Sequence, residues 1–279
     1  MNAITSLAIR HFCLQNRTAI GSHAALAFLC VLASFLPLAA SAQSAATPLP
    51  SLSAEQIVQQ MTERNRERAE ALRNYSGNRV YHVRYTGFPG KREAVMTVRA
   101  QYTAPNQKEF TIVSQNGSSL LINRVLKKLL ESEQEAATKD NAKSTALGPQ
   151  NYQFELLGTE AVNDRPCYLL GVIPKQKSKF LYRGKVWVDG SDFAVVKIEA
   201  EPAKRPSFWI SKTRINHSYA KVGDFWLPAE NLSTTDVRLG GVATLTIKYA
   251  DYVVNAPEKP APAPASEASR LGGVPAAKP

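Results

Sequence analysis

Histidine and cysteine, which carry much of catalytic and metal chemistry, are scarce here: four and three in 279 residues. The first 42 residues hold two of each, leaving His82, His217 and Cys167. Neither H-E-x-x-H nor G-x-S-x-G occurs, and Asn116-Gly117-Ser118-Ser119 lacks the closing glycine of a nucleophile elbow. Two distant histidines in strand-like segments are expected at a surface or a sheet edge, so no catalytic residue, metal site or cofactor is expected and the chain reads as a non-enzyme. A single thiol closes no intrachain disulfide. Cys167, within Pro166-Cys167-Tyr168-Leu169-Leu170, reads as a small buried hydrophobe, and packing must hold the fold.

Long apolar runs are missing too, with one exception. Ala24 to Ala40 carries no charge, follows Arg10 and Arg17, and ends in Ala40-Ser41-Ala42, a small-x-small cleavage site before Gln43. This predicts a signal peptide over 1–42 and a soluble periplasmic protein starting near Gln43. The alternative for a run of this length is an uncleaved anchor, against which Pro37 and the small residues after it argue. Phe28 and Leu29 stand before Cys30 where a lipoprotein signal wants small residues, so no lipid anchor is expected. Acidic residues are the minority, 23 against 34 basic; the leader carries only the two arginines, which leaves the mature chain at +9. Such a surface suits anionic partners, and export argues against nucleic acid.

After a linker over 43–52, a domain is expected over 53–255, followed by an Ala/Pro-rich tail over 256–279 with too little apolar content to order itself. The domain opens with a well-marked helix. Ser53 and Gln56 form a capping box, Leu52 and Ile57 a staple, and Ile57, Val58, Met61, Ala69 and Leu72 recur at helical spacing. Arg64, Arg66, Arg68, Glu63, Glu67 and Glu70 read as its solvated face. The period then changes to two. Strands are predicted near 80–85, 93–102 and 108–115, and after residue 152 near 152–161, 165–173, 180–188, 193–201, 207–220, 225–236 and 242–254. Met96, Val98, Ala100 and Tyr102 alternate with Thr97, Arg99 and Gln101, as do Leu245, Ile247 and Tyr249 with Thr244, Thr246 and Lys248. Glu199 and Glu201 read as the solvated side of one strand, and Lys175-Gln176-Lys177-Ser178-Lys179 as a solvated turn.

The fold class is therefore α+β: a large curled antiparallel sheet of about ten strands, one face of which needs a cover. Between the two sets of strands, Leu121, Ile122, Val125, Leu126, Leu129 and Leu130 form the apolar seam of a helix with Asn123, Arg124, Lys127, Lys128 and Glu131 opposite. The polar stretch from Thr138 to Gln150 reads as a mobile flap. A curled sheet closed by two amphipathic helices encloses an apolar hollow, unless side chains fill it. The candidate lining is Met96, Val98, Tyr182, Val186, Val196, Ile198, Leu245, Ile247 and Tyr249, and the candidate lid is Leu121, Ile122, Val125, Leu126, Leu129 and Leu130.

Certain local phrases carry a family resemblance. Gly184-Lys185-Val186-Trp187-Val188-Asp189 is followed by Phe193-Ala194-Val195-Val196-Lys197-Ile198-Glu199, then Pro206-Ser207-Phe208-Trp209-Ile210, Phe225-Trp226-Leu227-Pro228 and Ile247-Lys248-Tyr249-Ala250-Asp251-Tyr252. With the order of elements over residues 53 to 254, they resemble the LolA-like outer-membrane lipoprotein-sorting proteins, a superfamily that also includes LolB and RseB types. The resemblance implies an unclosed half-barrel with helical lids, and a monomeric carrier or chaperone that binds acyl chains of a lipoprotein or lipid and delivers it towards the outer membrane. Membrane-associated donor and acceptor proteins are the implied partners. The alternative it leaves open is an envelope sensor of the same fold, detecting lipid or mislocalised lipoprotein. No residue stands out as counterpart of the cavity arginine that the best-known carriers use near the sheet.

Overall fold

The computed structural model describes residues 49–105, 107–136, 144–178, 180–204, 210–238 and 240–255. The expected signal peptide, most of the linker, the tail, residues 138–143 of the polar stretch and Pro206-Ser207-Phe208-Trp209 lie outside the described residues. Helix α1, Ala54–Ala71, starts as its sequence dictates: Gln56 Oε1 accepts from the Ser53 amide at 2.8 Å, and Ser53 Oγ accepts from the Gln56 amide at 3.3 Å. Each bond satisfies a backbone donor that the first helical turn would leave unpaired. Ile57, Val58 and Met61 are its buried stripe.

Three strands follow, β1 (Asn74–Gly87), β2 (Arg92–Thr103) and β3 (Gln107–Gly117). Helix α2 comes next, in three consecutive segments: an opening turn Ser119–Leu121, a π-helical stretch Ile122–Leu126 and an α-helical stretch Lys127–Ala136. The π stretch has a reason in the sequence. The two apolar rows, Leu121, Val125, Leu129 and Ile122, Leu126, Leu130, each repeat every four residues, and at 3.6 residues per turn such rows drift by about 40° a step. A wider turn takes up the drift, and all six side chains stay buried.

Seven more strands complete the domain: β4 (Tyr152–Val162), β5 (Arg165–Pro174), β6 (Tyr182–Asp189), β7 (Val195–Pro202), β8 (Ile210–Val222), β9 (Phe225–Val237) and β10 (Gly241–Val254). They form one ten-stranded sheet in the order β3-β2-β1-β10-β9-β8-β7-β6-β5-β4, with antiparallel pairing throughout. The two edges, β3 and β4, are consecutive along the chain. They do not pair to close a barrel; the connection between them carries α2, which packs on the inner face against β1, β2 and β10. Asn255 ties the two ends of the domain together, its Oδ1 accepting from the Arg73 amide at 2.8 Å and its Nδ2 donating to Ala71 O at 3.1 Å.

The inner face carries two apolar clusters. The first joins Tyr81, Val83, Ala94, Met96, Val98, Leu245 and Ile247 to the six apolar residues of α2. The second joins Ile57, Val58 and Met61 of α1 to Tyr152, Tyr168, Leu170, Val172, Val186, Val188, Ile198 and Tyr219. A third, on the outer face, holds Cys167, Trp187 and Val196. Val196 is a correction: strict alternation groups it with Ile198, but a register shift between Trp187 and Val188 sets it on the other face. Cys167 is fully buried there, and burial pushes its thiol up to about 11, which makes it inert.

Candidate functional site

The phrases around residues 184–199 and 225–228 build the corner on which α1 docks. Gly184 lies at φ +154°, where a Cβ would collide with the Glu199 carbonyl oxygen, so only glycine lets β6 run this close to β7. Asp189 ends β6 and accepts from the amides of Ser191 (3.0 Å) and Asp192 (2.7 Å), fixing the turn. Asp192 then accepts from Trp226 Nε1 at 3.0 Å and Lys221 Nζ at 2.7 Å. Arg68 of α1 donates to the carbonyl oxygens of Asp192 (2.9 Å) and Phe193 (3.3 Å). Its face of α1 is thus not wholly solvated as expected: Arg66 and Arg64 pair with neighbouring glutamates in the open, whereas Arg68 is a dock.

Helix α2 closes differently. Arg79 of β1 and Glu133 of α2 are 3 % and 4 % exposed, and Arg79 Nη1 donates to both carboxylate oxygens of Glu133, at 2.8 and 2.9 Å. Lys108 Nζ adds a third bond to Glu133 at 3.2 Å. The Arg79 guanidinium also lies 5.1 Å from the ring centres of both Phe110 and Tyr249. Burial opposes ionisation of Glu133, but Arg79 and Lys108 overcome it and hold the carboxyl below its ordinary range. The signal for this pair is in the sequence. Arg79 continues the inward set Tyr81, Val83, Tyr85, and Glu133 extends the row Leu121, Val125, Leu129, so each is a charge on an apolar face.

Between the two apolar clusters the inner face turns polar. Thr213 and His217 of β8 and Asn231, Ser233 and Thr235 of β9 are all buried. Thr213 and Thr235 share a hydroxyl hydrogen bond of 3.1 Å, Asn231 Nδ2 donates to His217 Nδ1 at 3.1 Å, and Ser233 donates to Asn231 Oδ1 at 3.1 Å. His217 is 4 % exposed, against the expectation of a surface or edge residue, because it is on the inner face of β8, where its ring stacks on Tyr219 and Tyr249. Burial lowers its pKa from 6.5 to about 4 and keeps the ring neutral. His82 is only half-buried, paired with Glu93 on the outer face.

The residues read as a single cavity lining are thus divided. Met96, Val98, Leu245 and Ile247 lie under α2 with Leu121, Ile122, Val125, Leu126, Leu129 and Leu130, and Tyr249 packs against them. Val186 and Ile198 lie under α1, with Tyr182 packed against that cluster and tilted on Tyr152 at 5.5 Å. The described part of the expected flap is anchored: Leu147 packs into the second cluster and Asn151 Nδ2 donates to Ala146 O at 2.9 Å. A groove of about 890 Å³ on the outer face, edged by Leu157, Ile173, Arg183, Lys185 and Arg214, and another of about 740 Å³ between α1 and β4 contain none of these lining residues. Among the described residues no group of histidine, cysteine and acidic side chains could hold a metal ion, and no helix is long and apolar enough to cross a membrane.

Residues 134–259 match a family model described only as an uncharacterized protein, and no curated protein matches the chain. Among solved structures, the chain is similar to a putative outer membrane lipoprotein-sorting protein domain from Vibrio parahaemolyticus, at 13 % identity and a TM-score of 0.44 over 74 % of this chain and 95 % of that one. It is also similar to a LolA superfamily protein from Nitrosomonas europaea, at 13 % identity and TM-score 0.32 over 72 % and 93 % of the two chains. A chain of the Pseudomonas aeruginosa MucA/MucB complex gives 8 % identity and TM-score 0.25 over 73 % and 99 %. At such scores these are likenesses only. The fold, an unclosed ten-stranded antiparallel half-barrel with helices on its inner face, rests on the strand order itself.

Proposed function

We propose that this protein is a periplasmic carrier or chaperone that takes acyl chains of a lipoprotein or lipid against the inner face of its half-barrel, with α2 as the lid, and hands them towards the outer membrane. The observation that carries this reading is the buried Arg79–Glu133 pair, on which α2 closes. A buried ion pair adds little stability compared with an apolar contact of the same size, because each ion gives up its hydration to form it. It is a poor way to fasten a helix for good. It suits a helix that leaves, since the ions regain their hydration when the seam parts.

An acyl chain would then replace the six apolar side chains of α2 against Met96, Val98, Leu245 and Ile247. Each methylene it buries gains roughly 0.8 kcal/mol, so a single long chain compensates for loss of the seam. No step of this cycle makes or breaks a covalent bond. The test is titration of the purified mature protein with a fluorescent fatty acid and competition with a lipopeptide. Saturable binding that the lipopeptide displaces is expected; no binding at any concentration would mean that side chains fill the inner face and the protein is not a carrier.

A further inference from the structure

The polar strip between the two apolar clusters holds two hydrogen-bond donors without acceptors. His217 Nε2 and the Tyr219 hydroxyl are buried and have no partner among the described residues. They are successive inward side chains of β8, their rings stacked with centres 4.5 Å apart and planes at 12°. The state of the imidazole follows from its neighbours. Ser233 donates to Asn231 Oδ1, so Asn231 turns its Nδ2 to His217, and an amide nitrogen can only donate. Nδ1 therefore accepts, and the one proton of the neutral ring is on Nε2. One N–H and one O–H buried side by side without a protein acceptor each lose a hydrogen bond that the unfolded chain would have from water.

Their position is as informative as their chemistry. Tyr219 belongs to the apolar cluster under α1, Tyr249 packs against the one under α2, and His217 stacks with both, 6.3 Å from the Tyr249 ring centre. A group bound here has an apolar surface on either side of it.

We infer that His217 and Tyr219 form a carbonyl-binding subsite, which takes the ester or amide carbonyl of an acyl group whose chain lies along the neighbouring apolar surface. This rests on the acyl-binding reading above and narrows it to chains that carry an acceptor at one end. A neutral carbonyl oxygen has two lone pairs and can accept from both donors at once. An alkane would leave both donors unmatched.

The experiment uses methyl laurate and an alkane of equal length, each measured by displacement of a bound fluorescent fatty acid from the full mature protein and from Tyr219→Phe. That substitution removes only the unpartnered hydroxyl, so the melting temperature should hold or rise. The expected result is ester binding weakened a few-fold to about tenfold with alkane binding unchanged. His217→Phe, which keeps a ring in the stack, should weaken the ester in the same way. If neither variant alters the preference for ester over alkane, the donors hold an internal water and the subsite is overturned while acyl binding stands. If the wild-type protein binds no fluorescent fatty acid, the acyl-binding reading itself has failed, and the subsite with it.

Discussion

His217 is the residue whose titration the fold changes most plainly. It is neutral and buried, with its pKa lowered by burial from 6.5 to about 4 although Glu133 favours its charged form and Arg79 opposes it. An unfolded chain binds this proton near pH 6.5, the folded one only near 4, so stability is fully present above 6.5 and falls as pH drops through that window. At 1.36 kcal/mol per pH unit the loss by pH 4 is about 3 kcal/mol. Chemical denaturation at pH 7.5, 6, 5 and 4 should show it, and His217→Gln should flatten the curve between 6.5 and 4; an unchanged slope would mean that the imidazole is solvated. The limb below about pH 4 belongs to Glu133, Asp189 and Asp192, all held below their ordinary values despite the cost of burial. Protonating Glu133 also releases α2, so ligand exchange should accelerate in that same acid range.

Helices α1 and α2 cover the same face by different means. A capping box, the Arg68 dock and the Tyr168 hydroxyl bond to Pro50 O at 2.8 Å hold α1 and the residues before it. The apolar seam and the bonds of Glu133 hold α2. Replacing Glu133 by Gln alone leaves Arg79 buried without its counter-charge and should cost about 3 to 5 kcal/mol. Replacing the pair together, Arg79→Met with Glu133→Leu, should leave stability unchanged or raise it by about 1 to 4 kcal/mol. On the proposed function the double variant then takes up a fluorescent fatty acid more slowly, because its closed seam is apolar throughout and parts less readily. A double variant that folds well and exchanges ligand at the wild-type rate would show that α2 does not move. The six seam residues would then serve packing alone.

At the scale of the whole molecule, the strand order leaves the half-barrel open between β3 and β4, and α2 packs on the inner face of the β1–β3 half. The β4 to β9 run and α1 make one body of contacts, and the β1–β3 meander with α2 and β10 makes another. Amides of α2 should therefore exchange with solvent faster than those of α1, through openings that leave β4 to β8 protected. Hydrogen exchange resolved by mass spectrometry measures this. Equal protection of the two helices would mean that the halves open only together and that no lid motion precedes unfolding.

Much of this architecture is local and could be read along the chain. Ser53 and Gln56 mark the start of α1, strict alternation marks β2 and β10, and the rows Leu121, Val125, Leu129 and Ile122, Leu126, Leu130 mark the buried side of α2, because each of these signals depends only on residues a few positions apart. What a face packs against is not local. Val196 changed sides through a bulge, which needs the partner strand to be known. His217 proved to be interior because its side of β8 faces inward against Tyr219 and Tyr249, and Tyr249 comes from β10, more than 30 positions along the chain. Arg79 and Glu133 each showed as a charge on an apolar row, yet they are 54 positions apart, and only the fold of α2 over β1 made them a pair. Periodicity determined which side chains of this protein turn inward; tertiary structure alone decided which of them meet, since the strand order and the packing of α2 on the inner face bring distant segments together.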